Sequence, residues 1–385
     1  MNPALSGERF VVVYHLRGTR EEATAKAEDI CLEDTVELPL DLVPDGPIRS
    51  EILGRVENIR PISGDVFEAR ISFAVETTAH ELTQLLNIAF GNISLKPGLR
   101  IERFEFPDNL LESFPGPRFG RDGWRKMLGA ALRPLLCSAI KPMGMSAHEC
   151  ADLAGRLALG GIDIIKDDHG LTDQPFCRFE ERVGRCAEAI QKANAETGMK
   201  CVYMANVTAP QDEVFHRARV AKNAGAGALL ISPGLTGYDM MRLLAEDDDI
   251  DMPIMCHPAF QGSFVTHPEN GISHHALFAQ LARLAGADAT IFPNYGGRFS
   301  FTREECAKIA LETQGPMGHI KPIFPTPAGG MTLQRIADMA RVYSGEVIYL
   351  IGGGLQRHET DLIEACRDFR RMAERSIMND DARRP

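Results

Sequence analysis

The sequence predicts an α/β protein in which a C-terminal TIM (β/α)8 barrel follows an N-terminal α+β ferredoxin-like domain. Three observations lead there. A length of 385 residues suits a small domain plus a barrel-sized one. From Arg133 onward a short apolar strand, a polar turn and an amphipathic helix recur eight times over about 250 residues, the rhythm of a barrel. Polar and glycine residues then gather at the C-terminal ends of those strands, where such barrels carry their chemistry.

Taken in order, Arg9–Arg17 is rich in β-branched and aromatic residues and reads as a strand, followed by helix formers over 21–30. Two strands, 55–59 and 66–75, flank the Pro61-Ile62-Ser63-Gly64-Asp65 turn. Residues 78–88 are apolar at helical spacing, and 99–106 alternates as a strand. The order β-α-β-β-α-β is the split ferredoxin-like arrangement. The Pro/Gly-rich stretch 114–120 marks a boundary, giving domains at 1–118 and 119–385, with a connecting helix over 122–128. Barrel strands are expected at 135–141, 162–168, 201–206, 228–233, 253–257, 289–293, 321–325 and 347–351. Helices are expected at 147–159, 179–196, 213–223, 274–285, 303–313, 332–342 and 359–372. An open dinucleotide-binding sheet is disfavoured, because Gly352-Gly353-Gly354 follows the last strand rather than the first.

Composition narrows the function. Hydrophobic residues make up 44% and charged residues 25%, ordinary for a globular protein. A formal net charge of −11 argues against nucleic acid or an anionic membrane as partner. Nine scattered cysteines without a C-x-x-C pair read as reduced core residues. With no signal-like N-terminus and no run of eighteen apolar residues, a cytoplasmic protein is expected.

The chemistry concentrates in Gly160-Gly161-Ile162-Asp163-Ile164-Ile165-Lys166-Asp167-Asp168-His169-Gly170. Alternation puts Lys166 and Asp168 on one face of the strand, and Asp163, Ile165 and Asp167 on the other. Lys166, Asp168 and His169 form a candidate metal site. Carboxylates suit Mg²⁺ or Mn²⁺, imidazole suits softer ions, and a lysine ligates a cation only as a carbamate. Gly329-Gly330 and Gly352-Gly353-Gly354 place bare amides after strands seven and eight, the usual phosphate position of a barrel. Lys141, ending an apolar strand, is a candidate for proton transfer, and His257 for a hydrogen bond to a substrate hydroxyl. Asn206 and Arg298 fall on the same rim. Arg367, Arg370 and Arg371 read as a solvated helix face.

The metal stretch, followed by Gln174-Pro175-Phe176, resembles the signature of the ribulose bisphosphate carboxylase/oxygenase (RuBisCO) large subunit. Arg133-Pro134-Leu135-Leu136 leading to Ile140-Lys141-Pro142 resembles that family's first barrel strand. Phe90-Gly91-Asn92, His257, Gly329-Gly330 and Gly352-Gly353-Gly354 follow in order, so the resemblance covers nearly the whole chain. It implies Mg²⁺ held partly by a carbamate on Lys166. It also implies a homodimer with active sites between subunits, where Asn92, and with it Glu28, would serve the neighbour.

The departures carry the function. His169 stands where the family's signature ends in glutamate, and Met143-Gly144 replaces its second lysine. Pro258 takes the place of a phosphate-gripping arginine, 290–294 lacks the expected histidine, and Arg298 occupies the mobile-loop lysine position. The resemblance is therefore to the form IV, RuBisCO-like proteins, which do not fix carbon, acting on a sugar monophosphate through an enolate or enediolate. The leading expectation is decarboxylation, or a related C–C cleavage, of a 3-oxo sugar-acid phosphate such as 3-oxo-isoapionate 4-phosphate. The alternative is an isomerase or enolase of a methylthio-sugar phosphate, of the 5-methylthioribulose 1-phosphate type. A non-catalytic sugar-phosphate sensor is the reading from another class. With His169 in place, Mn²⁺ or another divalent ion competes with Mg²⁺.

Overall fold

The computed structural model describes residues 5–130, 132–357 and 361–381. Its N-terminal part contains strands β1 (Arg9–Arg17), β2 (Arg55–Ser63), β3 (Val66–Ala74) and β4 (Leu99–Glu105). Helices Arg20–Glu33 and Leu82–Phe90 fall between them in the expected β-α-β-β-α-β order. β1 pairs antiparallel with both β3 and β4, and β2 pairs antiparallel with β3. The first helix starts where Thr19 and Glu22 form a reciprocal capping box.

The barrel strands are β5 (Leu135–Ile140), β6 (Ile164–Asp167), β7 (Val202–Asn206), β8 (Ala228–Ile231) and β9 (Ile254–Cys256). After the two-residue β10 (Gly271–Ile272) come β11 (Ala289–Pro293), β12 (Phe324–Ala328) and β13 (Ile348–Leu350). Apart from β10 these form one eight-stranded sheet in the order β12-β11-β9-β8-β7-β6-β5-β13, whose ladders are parallel. β10 pairs in parallel with β4, so a barrel loop extends the N-terminal sheet. Boxes at Ser146/Glu149 and Thr302/Glu305 fix the starts of helices Ala147–Leu159 and Arg303–Gln314. The expected start of the last helix at Glu359 lies outside the described residues; the helix runs Leu362–Asp381.

One strand differs from its expected place. The seventh barrel strand is Phe324–Ala328 rather than 321–325, although it contains Pro325 and Pro327. Phe324 N–H donates to the Asp288 carbonyl and the Ala328 carbonyl accepts from Asn294 N–H, so even-numbered residues bond toward β11. The prolines, with no N–H to give, therefore face β13 across the barrel seam. β12 and β13 lie side by side there, but no ladder between them appears among the described residues. Strand breakers sit on the one edge that tolerates them.

Two cores result from the period of two. Leu135 and Cys137, Ile164, Met204, Met255, Ile291 and Phe324 fill the barrel interior, which Trp124 and Leu128 from helix Gly120–Leu128 plug from below. Outward residues such as Leu136, Ile165 and Tyr203 pack under the surrounding helices. All nine cysteines are free and buried. The C-terminal arginines divide: Arg367 and Arg371 are exposed and pair with Glu364 and Asp368. Arg370, expected on the solvated face, instead donates to the Asp163 carboxylate at 2.8 Å and the Gly161 carbonyl. It anchors the last helix to the turn before β6.

Where the two parts meet, Glu102 of β4 faces His15, His275 and Lys308, at 3.7, 3.8 and 3.3 Å. The neighbouring His274 lies 3.4 Å from both Glu305 and Arg100. Burial pushes the His274 and His275 imidazoles down to about 4 despite these carboxylates, with Arg100 and, for His275, Lys308 adding to the effect. Burial also lowers His15, beside Glu102, Glu68, Lys308 and Arg100. A histidine whose pKa is lower folded than unfolded binds its proton more readily when unfolded. Stability is therefore expected to be complete above about pH 6.5, and to fall as pH drops toward 4. Urea midpoints at pH 7.5 and 5.0 check this, and His275→Gln should flatten the difference.

Candidate active site

The inward-facing series that builds the barrel core leads at its upper end into the polar rim. On β5 it runs Leu135, Cys137, Ala139, Lys141; on β6, Ile164, Lys166, Asp168; on β9, Met255, His257. Lys141, Lys166, Asp168, His169, His257, Arg298 and Gly329 all line one cavity of about 580 Å³. Pro258, Val265, Phe278, Phe299 and Phe301 add apolar groups to the same lining. This apolar part was not legible in the sequence, because its members come from separate loops with no common period.

The charged cluster on β6 separates as alternation requires. Asp163 receives a bidentate pair of hydrogen bonds from Arg133, each 2.6 Å, and a 2.9 Å bond from Leu136 N–H. Asp167 is fully buried and pairs with the equally buried Arg182 at 3.2 Å. It also accepts from Tyr203 O–H at 2.7 Å and Asn206 N–H at 3.1 Å. Arg182 and Tyr203 were missed by sequence reasoning. The signal was an arginine inside the apolar stripe Phe179, Val183, Cys186 of a helix, which calls for a buried partner. Asn206, placed on the rim by its strand position, is wholly buried. Its side-chain amide donates to the carbonyls of His169 and Leu171 at 3.1 and 2.9 Å, holding the loop that presents His169.

Lys166 is 2% exposed and donates to the Asp167 carbonyl at 2.7 Å. Burial lowers its pKa, and the nearby Asp168 only partly opposes this. Asp168 Oδ1 lies 3.0 Å from Lys141 Nζ and 3.4 Å from His169 Nδ1. Burial works against its carboxylate, yet the His169 hydrogen bond and the Lys166 and Lys141 charges hold it well below the usual range. The His169 and His257 rings stack at 4.4 Å and 13°. Burial, aided by Lys166 and His169, keeps His257 well below an ordinary histidine and therefore neutral. His257 Nδ1 accepts from Ala259 N–H at 3.2 Å, so the ring proton sits on Nε2.

The glycine loops meet each other. Gly329 and Gly330 have φ of +94° and +85°, a conformation that disfavours side chains. A Cβ on Gly354 would lie 2.5 Å from the Met331 carbonyl oxygen. Gly329 lines the cavity, whereas Gly330, Gly353 and Gly354 do not. Asn92 is not part of this cavity: it is exposed on the N-terminal part, its amide donating to Glu33 and Glu37 at 3.1 and 3.2 Å. Glu28 is exposed on the first helix. Among the described residues no three His, Cys, Asp or Glu side chains converge on a metal position. Asp168 and His169 are the donors at hand, and a carbamate on Lys166 would make a third. No described helix is long and apolar enough to cross a membrane.

Residues 122–383 match the model of the ribulose bisphosphate carboxylase large chain, catalytic domain. The chain belongs to the RuBisCO large-chain family. It is 37% identical to the 5-methylthioribulose-1-phosphate isomerase of Rhodospirillum rubrum over 94% of this chain and 95% of that one. It is 33% identical to the 2,3-diketo-5-methylthiopentyl-1-phosphate enolase of Bacillus pumilus, over 91% and 88%. Among solved structures it is similar to a Rubisco-like protein from Rhodopseudomonas palustris, with a TM-score of 0.86 and 35% identity over 95% and 97% of the two chains. Within its family this is a RuBisCO-like chain.

Proposed function

We propose that this RuBisCO-like chain is an isomerase of a methylthio-sugar phosphate, of the 5-methylthioribulose 1-phosphate type. The observation that carries the reading is the mixed lining of one cavity, which brings lysines, a carboxylate and two imidazoles together with apolar groups such as Pro258, Val265 and Phe278. Pro258 lines that cavity, as do Phe292 and Pro293 from the segment without the expected histidine, so a second phosphate would meet apolar surface. A monophosphate with an apolar tail suits such a site. The related proteins reported above carry isomerase and enolase names, which moves the reading away from decarboxylation. Isomerase stands ahead of enolase because Asn92 offers an amide, already bound to Glu33 and Glu37, where the resemblance puts a lysine in the enolase.

In this mechanism His257 donates its Nε2 proton to the substrate carbonyl oxygen, meeting the negative charge that develops there. Lys141, 3.0 Å from Asp168 until a cation takes that oxygen, moves the proton between neighbouring carbons. Gly329 receives the phosphate on the backbone amides of its loop, which Gly330 and the adjoining Gly353-Gly354 turn shape, with Arg298 beside it. Burial favours the neutral amine of Lys166, the form that adds CO₂ to give a carbamate and a proton. That carbamate, Asp168 and His169 would hold a divalent cation, Mg²⁺ in the family pattern, which stabilises enolate charge when bound. A homodimer divided at 118/119 into lobe and barrel, with Asn92 and Glu28 facing the neighbour's site, completes the reading.

Gly354→Ala should push the two glycine loops apart and lower kcat/KM for the phosphorylated substrate on the order of tenfold or more, with the melting temperature reporting any loss of fold. The whole reading is tested by incubating the purified chain with 5-methylthioribulose 1-phosphate in D₂O. Isomerised product carrying deuterium supports it. Binding without turnover or exchange would leave a sensor, and CO₂ release from a 3-oxo sugar-acid phosphate would restore the decarboxylase.

A further inference from the structure

We infer that His169 makes this a nitrogen-containing cation site that selects Mn²⁺ or a later first-row ion over Mg²⁺, a step that rests on the metal-assisted reading above. The geometry of its neighbours points this way. His169 Nδ1 and Asp168 Oδ1 are 3.4 Å apart. Two donors bound at about 2.1 Å to one first-row ion are separated by roughly 3.0 to 3.4 Å in octahedral or tetrahedral arrangements. The pair therefore already has the spacing of adjacent ligands.

The imidazole is held by one ring contact, and its partner and its own backbone are held in turn. Its ring lies flat against His257 at 4.4 Å. His257 is itself tied down by the Ala259 amide. The backbone carbonyl of His169 is gripped by the buried Asn206 amide at 3.1 Å. An incidental loop histidine, 47% exposed as this one is, has no need of such support. Supporting contacts that orient a ligating imidazole are a regular feature of metal sites.

The selectivity follows from the donor set. A glutamate at position 169 would give hard, anionic oxygen. Imidazole gives a neutral nitrogen, removing one negative charge from the site and favouring ions later in the first row. Mg²⁺ binds by charge and oxygen and dehydrates reluctantly, so it loses most by the exchange. The competing occupant of Asp168 is the Lys141 ammonium, 3.0 Å from the same oxygen, which a divalent ion must displace.

The test uses the full chain, stripped with a chelator and reloaded in bicarbonate with Mg²⁺, Mn²⁺ or both. Competition dialysis with elemental analysis gives the Mn²⁺/Mg²⁺ affinity ratio, and pulsed electron spin resonance on bound Mn²⁺ detects directly coordinated ¹⁴N. The wild-type chain should show nitrogen coupling. His169→Glu should abolish it and lower the ratio by about tenfold or more. His169→Gln, which keeps a neutral side chain, should also abolish the coupling and guards against a misfolded first variant. Bound Mn²⁺ without nitrogen coupling in the wild type, or an unchanged ratio in His169→Glu, overturns the inference. Isomerase turnover is read separately, so failure of the metal assignment is distinguishable from failure of the proposed reaction.

Discussion

Lys166→Met is expected to lower kcat/KM for the methylthio-sugar phosphate by about 10³-fold or more while leaving the melting temperature unchanged or higher. Lys166 is 2% exposed and donates to the Asp167 carbonyl, so its polar nitrogen is held in the barrel at a desolvation cost. Methionine has similar length and no charge to bury. Asp168 keeps Lys141 and His169 as neighbours, so no carboxylate is stranded by the change. The substitution removes the nitrogen that carries the carbamate. Steady-state kinetics and a thermal melt on the same sample check both halves. Turnover within tenfold of wild type would remove Lys166 from the mechanism, and a large drop in melting temperature would make its role structural.

Arg182→Met should have the largest effect on stability, about 3 to 5 kcal/mol, because it leaves the Asp167 carboxylate buried without its cation. Both side chains of the pair are fully buried. Tyr203 and the Asn206 amide still bond to Asp167, but neither neutralises its charge. Since Asp167 lies between Lys166 and Asp168, strain in this pair also displaces the two cavity-facing residues. Asp167→Asn combined with Arg182→Met should recover part of the loss, since the double variant has no unpaired charge. Equilibrium urea denaturation measures the cycle. If Arg182→Met alone proves neutral, the pair is not holding β6 to the helix behind it.

Much of this architecture was legible because it depends on local periods. Alternation on β6 sorted Lys166 and Asp168 from Asp163 and Asp167, and both groups face as the period requires. Seven cavity residues were named from strand-end positions alone. The failures have a common cause. Pro325 and Pro327 moved a strand in the reading because a single sequence does not say which edge of a strand lies at a seam. Arg370 reads as a solvated charge in the sequence because its partners, Gly161 and Asp163, lie about two hundred residues earlier in the chain. Asn206 sat at the right height on its strand but turns its amide to hold a loop rather than face the cavity.

By itself, then, the sequence determined the order of elements, the faces of the strands and the rim on which the chemistry collects, since these follow from spacing along the chain. Tertiary structure alone decided which charges are spent on the frame and which are left for the site. It joined Arg182 to Asp167 and stacked His169 on His257, and it brought apolar loop residues into the cavity that Lys141 and Lys166 line. The physical reason is that burial and pairing depend on contacts between distant segments. A carboxylate's role is set by the partner that reaches it, and no local period records that partner.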